Sequence, residues 1–337
     1  MHGTLKEYGR LIRVEYCGLS LIAAIGALSA KGREVRAWDV LILVLINVIT
    51  VIWGFVHNDY VDMDIDKRSK EVSNRPLAKE TISTRAALAL VVACMIIAPT
   101  TAVIGFRNPM AVLILIVSGT LAFLYNLLGK KVVGADVLYA ASAALLCLFG
   151  AVAVCGPQAL PRGIPPLTWF IVGLTFSEHW FFNAVPGGLK DIENDRQSGA
   201  RTIAVCLSEH ADTGTRLFFS FKALVLANKG LTLALAFAPF VVLRIESTPL
   251  QLAILLVIAW RALALTHRLL NADFSDRRSL GRTTLRVNVV SNALVPVVLV
   301  GFIGIAWTLF LVLLPFLWFA AFNYVLYKDV FTLPRTF

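Results

Sequence analysis

Residues 38–66 read WDVLILVLINVITVIWGFVHNDYVDMDID, an apolar run long enough to cross a bilayer that ends abruptly in an acidic cluster. A second apolar run is followed in the same way by Asp191-Ile192-Glu193-Asn194-Asp195. Asn58, Asp62 and Asp66 fall four apart, as do Asp191 and Asp195, so on a helix each set projects from one face and can converge on hard cations such as Mg2+. Two such sets facing one cavity would make a binding site for a diphosphate. The alternative is solvated loop charge, against which the recurrence of the fourfold spacing beside the membrane argues.

The rest of the chain is built to stay in a membrane. Its 337 residues are 58% hydrophobic and 15% charged, with a mean hydropathy of +0.76, a composition that a soluble domain of this length could not keep in solution. Lys6, Arg10 and Arg13 precede the first apolar run, which lacks a small-residue cleavage signature and reads as a retained span. The five cysteines, at 17, 94, 147, 155 and 206, are scattered and show no disulfide or zinc pattern. A net charge of +10 raises the question of nucleic acid, but the basic residues are spread over short connections, so no nucleic-acid partner is expected.

Apolar segments occur at about 15–30, 38–57, 85–106, 109–128, 132–155, 165–187, 217–243 and 249–268, each of a length to span the roughly 20 residues of a bilayer core. The last run, 287–327, is too long for one ordinary span and holds Gly301, Gly304 and Pro315 as break points, giving a ninth helix with an interfacial tail or a ninth and a short tenth. With the N-terminus inside, the five inner segments hold 20 Lys and Arg and the four outer loops hold 6, which puts both acidic clusters on the cytoplasmic side. The expected fold is an all-α polytopic membrane bundle of about nine helices, forming a single domain over residues 1–337. Residues 1–131 and 132–268 each read as four spans with the acidic loop after the second, a pseudo-repeat of two four-helix halves. Lys67, Arg75, Lys130, Lys131, Lys190 and Arg201 share the acidic side and are candidates for binding diphosphate oxygens.

Asn58-Asp59-x-x-Asp62-x-x-x-Asp66 followed by Arg75-Pro76-Leu77 resembles the first signature of the UbiA superfamily of intramembrane prenyltransferases. Asp191-x-x-x-Asp195-Arg196 followed by Gly199-x-Arg201-Thr202 is similar to its second. The resemblance covers nearly the whole chain. Lys70-Glu71-Val72-Ser73-Asn74 before the Arg-Pro step and Lys79-Glu80 after it depart from the family's pattern. The resemblance implies a prenyl diphosphate donor in a lipid-open cavity and a metal site of Asn58, Asp62, Asp66, Asp191 and Asp195 holding Mg2+. It also implies transfer of the prenyl chain to an aromatic or lipid acceptor, and its tyrosine and lysine correspond to Tyr125 and to Lys130 or Lys131. Two ions and basic residues would draw off the diphosphate, with Asp62, Asp66, Asp191 and Asp195 as the catalytic carboxylates. A terpene cyclase of the same superfamily, needing no acceptor, and an ion-coupled transporter are the rival readings. Transport sites usually lie near the midplane, whereas these carboxylates lie at one face.

Several other residues admit two readings. Glu178 and His179 lie inside an apolar segment, either facing a cavity or making a structural hydrogen bond between helices. His57 is either a neighbour of the metal site or a packing residue. Trp53, Tyr60, Tyr125, Trp180, Phe181 and Phe182 either shield an allylic cation or form an interfacial aromatic belt. Lys222, Lys229 and Arg261 fall inside nominal spans and read either as snorkelling side chains or as a sign that a span boundary is misplaced.

Overall fold

The computed structural model describes residues 2–68, 72–160, 163–211, 214–274 and 276–330. The departures at Lys70 and Glu71 lie outside the described residues. The helices are α1 (His2–Leu11), α2 (Val14–Cys17), α3 (Ile22–Lys31), α4 (Ala37–Val61), α5 (Met63–Arg68), α6 (Thr84–Phe106), α7 (Pro109–Leu128), α8 (Asp136–Cys155), α9 (Pro166–Phe182), α10 (Gly188–Gln197), α11 (Ile203–Cys206), α12 (Phe219–Val242), α13 (Pro249–Leu270), α14 (Arg277–Asn292) and α15 (Leu294–Tyr327). A two-stranded antiparallel hairpin, β1 (Ser208–Ala211) with β2 (Gly214–Leu217), is the departure from an all-helical chain among the described residues. Helix satisfies every backbone donor and acceptor within the segment, which is what an apolar surround demands. Side chains start several of the helices: Ser83, Asn108 and Thr248 each accept from the backbone N–H three residues on, and Pro109, Pro166 and Pro249 sit where no N–H is needed.

Among the described residues eight segments are long and apolar enough to cross a membrane, and the chain is an integral membrane protein. The remaining expected span, at 165–187, appears as α9 of 17 residues, continued by a π turn at Asn183–Gly187 that carries the chain into α10. Pro186 inside that turn has no N–H to donate, and the register slips there. The first expected span is broken into α2 and α3. A Cβ on Gly18 would lie 2.2 Å from the Trp318 ring, and Trp318 donates to Val14 O at 2.7 Å, so the indole fills the break. The tail run resolves into α14 and α15, and α15 bends at Gly304, whose φ of 79° a side chain would strain. Pro315 does not interrupt the helix, whereas the non-helical backbone at Gly304 divides α15 into two helical stretches.

The main core is the crossing of α3 on α8, where Ala23, Ala27, Cys147 and Ala151 are buried. Two smaller cores lie beneath the acidic motifs. Leu11, Trp53, Val56 and Leu77 support the first, and Phe181, Leu189, Phe221 and Val287 support the second. Ile96 and Ile104 of α6, Leu256 and Trp260 of α13 and Leu317 of α15 point outward, as a lipid-facing surface requires.

Candidate active site

Helix α4 runs past the expected end of its apolar segment, so Asn58 lies on its last turn and Asp62 is its C-cap. The helical ladder continues: Asp62 N donates to Asn58 O and Asp66 N to Asp62 O, both at 2.9 Å. This stacks Asn58, Asp62 and Asp66 on one face, as their spacing requires. From the opposite side α10 brings Lys190, Asp191, Asn194 and Asp195 to the same cavity. The cavity holds about 1030 Å³ and runs from this polar mouth to apolar walls that include Met95, Ile116, Leu174 and Leu311.

Lys130 joins the two motifs. Its Nζ lies 3.4 Å from Asp62 Oδ2 and 3.7 Å from Asp195 Oδ1, and its carbonyl accepts from Arg201 N at 2.8 Å. Arg75 is fastened to the first motif, 2.7 Å from Asp66 and 3.2 Å from Asp59, and Arg13 approaches Asp59 at 2.6 Å. Burial pushes the Asp66 and Asp195 carboxyls up to about 6, against the partial relief of Arg75 at Asp66 and Lys130 at Asp195. Asp62 shifts the same way for the same reason, with Lys130 opposing. Burial works to lower Lys130, but Asp62 and Asp195 outweigh it and hold the ammonium charged.

Among the described residues the mouth therefore carries five carboxylates, Asp59, Asp62, Asp66, Asp191 and Asp195, against the four cations Arg13, Arg75, Lys130 and Lys190. Asp195 Oδ1 is buried without a hydrogen-bond partner, and the donors are hard oxygens, the set that suits Mg2+. Among the described residues, no three His, Cys, Asp or Glu side chains are close enough to hold a metal by themselves. Mg2+ is commonly bound by one or two carboxylates together with waters and substrate phosphate.

Of the candidate diphosphate ligands, Arg75, Tyr125, Lys130 and Lys190 line the cavity. Lys67 does not: it is exposed and paired with Glu80 at 2.7 Å. Lys131 and Arg201 are exposed and stand outside the lining, and Arg201 takes part through its backbone. Trp53, Tyr125 and Phe182 line the cavity, whereas Tyr60, Trp180 and Phe181 do not. His57 stacks between Trp53 and Phe123 and bonds Asn126 at 2.8 Å, the arrangement of a packing residue.

The sequence reading missed the partners of Tyr125. Asn183, placed by the π turn, donates to the Tyr125 hydroxyl and to Asp136, each at 2.7 Å. No local motif marks either residue. The snorkelling reading of Lys229 is corrected: the side chain is 1% exposed and its Nζ lies 2.9 Å from Glu178, because a neighbouring carboxylate within the bundle is a nearer partner than the interface. Glu178 and His179 both line the cavity.

The model of the UbiA prenyltransferase family matches residues 19–288. A 4-hydroxybenzoate octaprenyltransferase of Saccharophagus degradans is 25% identical over 253 residues, 68% of this chain and 82% of that protein. A digeranylgeranylglyceryl phosphate synthase of Saccharolobus solfataricus is 28% identical over 207 residues, 60% of this chain and 70% of that one. Among solved structures, a UbiA homologue from Archaeoglobus fulgidus bound to DMAPP and Mg2+ superposes with a TM-score of 0.59 at 20% identity, covering 86% of this chain and 99% of that one.

Proposed function

This chain belongs to the UbiA prenyltransferase family, and on that premise we propose that it transfers an isoprenyl group from a prenyl diphosphate to an aromatic or lipid acceptor within the membrane, with Mg2+. The observation that carries the reading is the convergence of α4–α5 and α10 on one polar mouth that opens into an apolar cavity of about 1030 Å³. One end suits a diphosphate and the other a hydrocarbon chain. The two kinds of relative, one named for 4-hydroxybenzoate and one for a glyceryl phosphate, support the two acceptor classes.

Asn58, Asp62 and Asp66 on one side and Asp191 and Asp195 on the other would hold Mg2+, two ions in this reading, which supplies Lewis-acid neutralisation of the departing diphosphate when bound. Lys130, placed between the two motifs, donates to diphosphate oxygens, and Lys190 and Arg75 are placed to assist it. Lys67, Lys131 and Arg201 have no part in this assignment, because their side chains lie outside the cavity. Tyr125, its hydroxyl held by Asn183, and Phe182 present π faces to the developing allylic cation. The apolar walls exclude water that would otherwise capture it. Both motifs face the cytoplasm in this assignment.

The experiment is incubation of purified protein with prenyl diphosphate and Mg2+, with and without acceptor. Little diphosphate is released without acceptor, and adding the right phenol or glycerol phosphate lipid yields a conjugate. Rapid acceptor-free formation of a cyclic hydrocarbon would make the protein a cyclase, and an intact diphosphate under all conditions would overturn the enzymatic reading.

A further inference from the structure

His179 lines the cavity, and the mechanism above gives it no part. Its Nδ1 lies 2.8 Å from the backbone carbonyl oxygen of Thr175, one turn earlier on α9. A carbonyl only accepts, so Nδ1 carries the hydrogen, and in the neutral ring Nε2 keeps a bare lone pair. Among the described residues this is the hydrogen bond that the His179 ring makes, and Nε2 is left to the cavity. The ring stands among the aromatic groups assigned to the allylic cation. Its centroid is 6.2 Å from that of Phe182 and 6.1 Å from that of Tyr139, which lies 5.4 Å from Tyr125. Asn183, one turn beyond His179, holds the Tyr125 hydroxyl, and Tyr125 stands five residues before Lys130 at the mouth. His179 therefore belongs to the level of the cavity where the cation forms.

Transfer to a hydroxyl-bearing acceptor releases a proton, and phenols and alcohols hold theirs at neutral pH. Walls that exclude water leave no bulk solvent to take it, so a base on the wall is needed. The mouth carboxylates are committed to metal, Lys130 and Arg75, and Glu178 is paired with Lys229 at 2.9 Å. His57 stands outside the cavity lining. We propose that His179 Nε2 is the general base that accepts the proton of the acceptor's hydroxyl. The inference rests on the prenyl-transfer reading and deepens it. With a glycerol phosphate, the O–H bond breaks as the oxygen bonds to the allylic carbon, and the diphosphate leaves with the electron pair of its C–O bond. With a phenol, the oxygen gives the same proton to Nε2 while the adjoining ring carbon attacks. The proton on that carbon then passes to the released diphosphate as the ring regains aromaticity, and the oxygen takes its own proton back from His179. In both cases the Thr175 carbonyl, facing the Nδ1 hydrogen, orients the ring and supports the imidazolium that forms.

His179→Asn tests this, because an Asn amide can still donate to the Thr175 carbonyl but has no basic nitrogen. His179→Gln, of similar volume, repeats the measurement in a second background. Purified full-length protein is assayed with prenyl diphosphate and Mg2+ against a para-substituted phenol and an O-alkyl glycerol phosphate. Each acceptor is run beside a more acidic analogue, a ring-fluorinated phenol or a thiol in place of the glycerol hydroxyl. With the acceptor that the wild type uses, kcat should fall by about a hundredfold, the usual worth of a positioned base. The acceptor KM and the equilibrium binding of prenyl diphosphate should stay within about twofold, since neither depends on the proton transfer. With the acidic analogue the deficit should shrink to about tenfold or less, because that acceptor sheds its proton with less help. A side chain that only packs would slow both acceptors alike. A kcat within about twofold of wild type, an equal deficit with parent and analogue, or a matching loss of prenyl diphosphate binding in both variants would each overturn the base. A wild type that forms a conjugate with none of these acceptors would overturn prenyl transfer itself, so the two readings fall separately.

Discussion

Asp195 shows at the scale of one residue how the site works. It is buried, its Oδ1 lacks a hydrogen-bond partner, and the nearest cation, Lys130, stands 3.7 Å away and is shared with Asp62. Replacing Asp62 or Asp195 by Asn should each lower turnover by about a hundredfold or more, because losing a charged metal ligand removes several kcal/mol of transition-state stabilisation. Steady-state assays with and without EDTA check this, and full activity in EDTA would defeat it. The raised carboxyls also fix a pH dependence. Asp66 and Asp195, at about 6 when folded against an ordinary 3.8, bind more protons folded than unfolded between those values, so stability falls as pH rises through that window. Thermal unfolding in detergent with EDTA should therefore give a lower Tm at pH 7 than at pH 5. Added Mg2+ should raise Tm more at pH 7 than at pH 5, since it binds the deprotonated carboxylates. A Tm that climbs from pH 5 to pH 7 in EDTA would contradict the assignment.

Between elements, the crossing of α3 and α8 sets the frame on which the motif helices hang. A Cβ on Gly150 would stand 1.8 Å from Ala23 O, and one on Gly26 would stand 1.8 Å from Cys147 O, both backbone atoms with no freedom to yield. Small residues let these backbones approach, the usual basis of close helix packing in lipid. Gly150→Val should destabilise the protein by about 3 kcal/mol or more, since overpacking here cannot be absorbed by a side-chain rotation. Gly230→Ala is the control: nothing lies within 4 Å of its Cβ position, and an interior helical Gly exchanged for Ala costs nothing. Denaturation of the two variants side by side in the same detergent decides it, and equal stability would remove the crossing from its place in the fold.

For the whole molecule, the prediction concerns sidedness, which follows from the partition of basic residues between connections. In a background freed of its five cysteines, Cys at Ser73, Ser198 and Ser279 should react with an impermeant thiol reagent from the cytoplasmic face, and Cys at Gln158 from the opposite one. Labelling of Ser73 and Ser198 from opposite faces would separate the motifs and end the shared-pocket mechanism. The sequence by itself determined the class of fold and the two motif faces, because both are local: bilayer thickness sets the length of an apolar run, and a fourfold spacing stacks Asn58, Asp62 and Asp66 wherever helix continues. It also flagged Glu178, since a carboxylate in an apolar run is costly wherever it lies. Tertiary structure alone decided which basic side chains enter the cavity, admitting Lys130 and Lys190 and leaving Lys67 with Glu80 and Lys131 and Arg201 at the surface. It alone paired Lys229 with Glu178 across 51 residues and Arg13 with Asp59 across 46, and it brought Asn183 to Tyr125 through a π turn. Those partners are distant in sequence, and no periodicity records them: they meet because helices cross, and which side chains share a buried gap depends on crossing geometry that no single segment encodes.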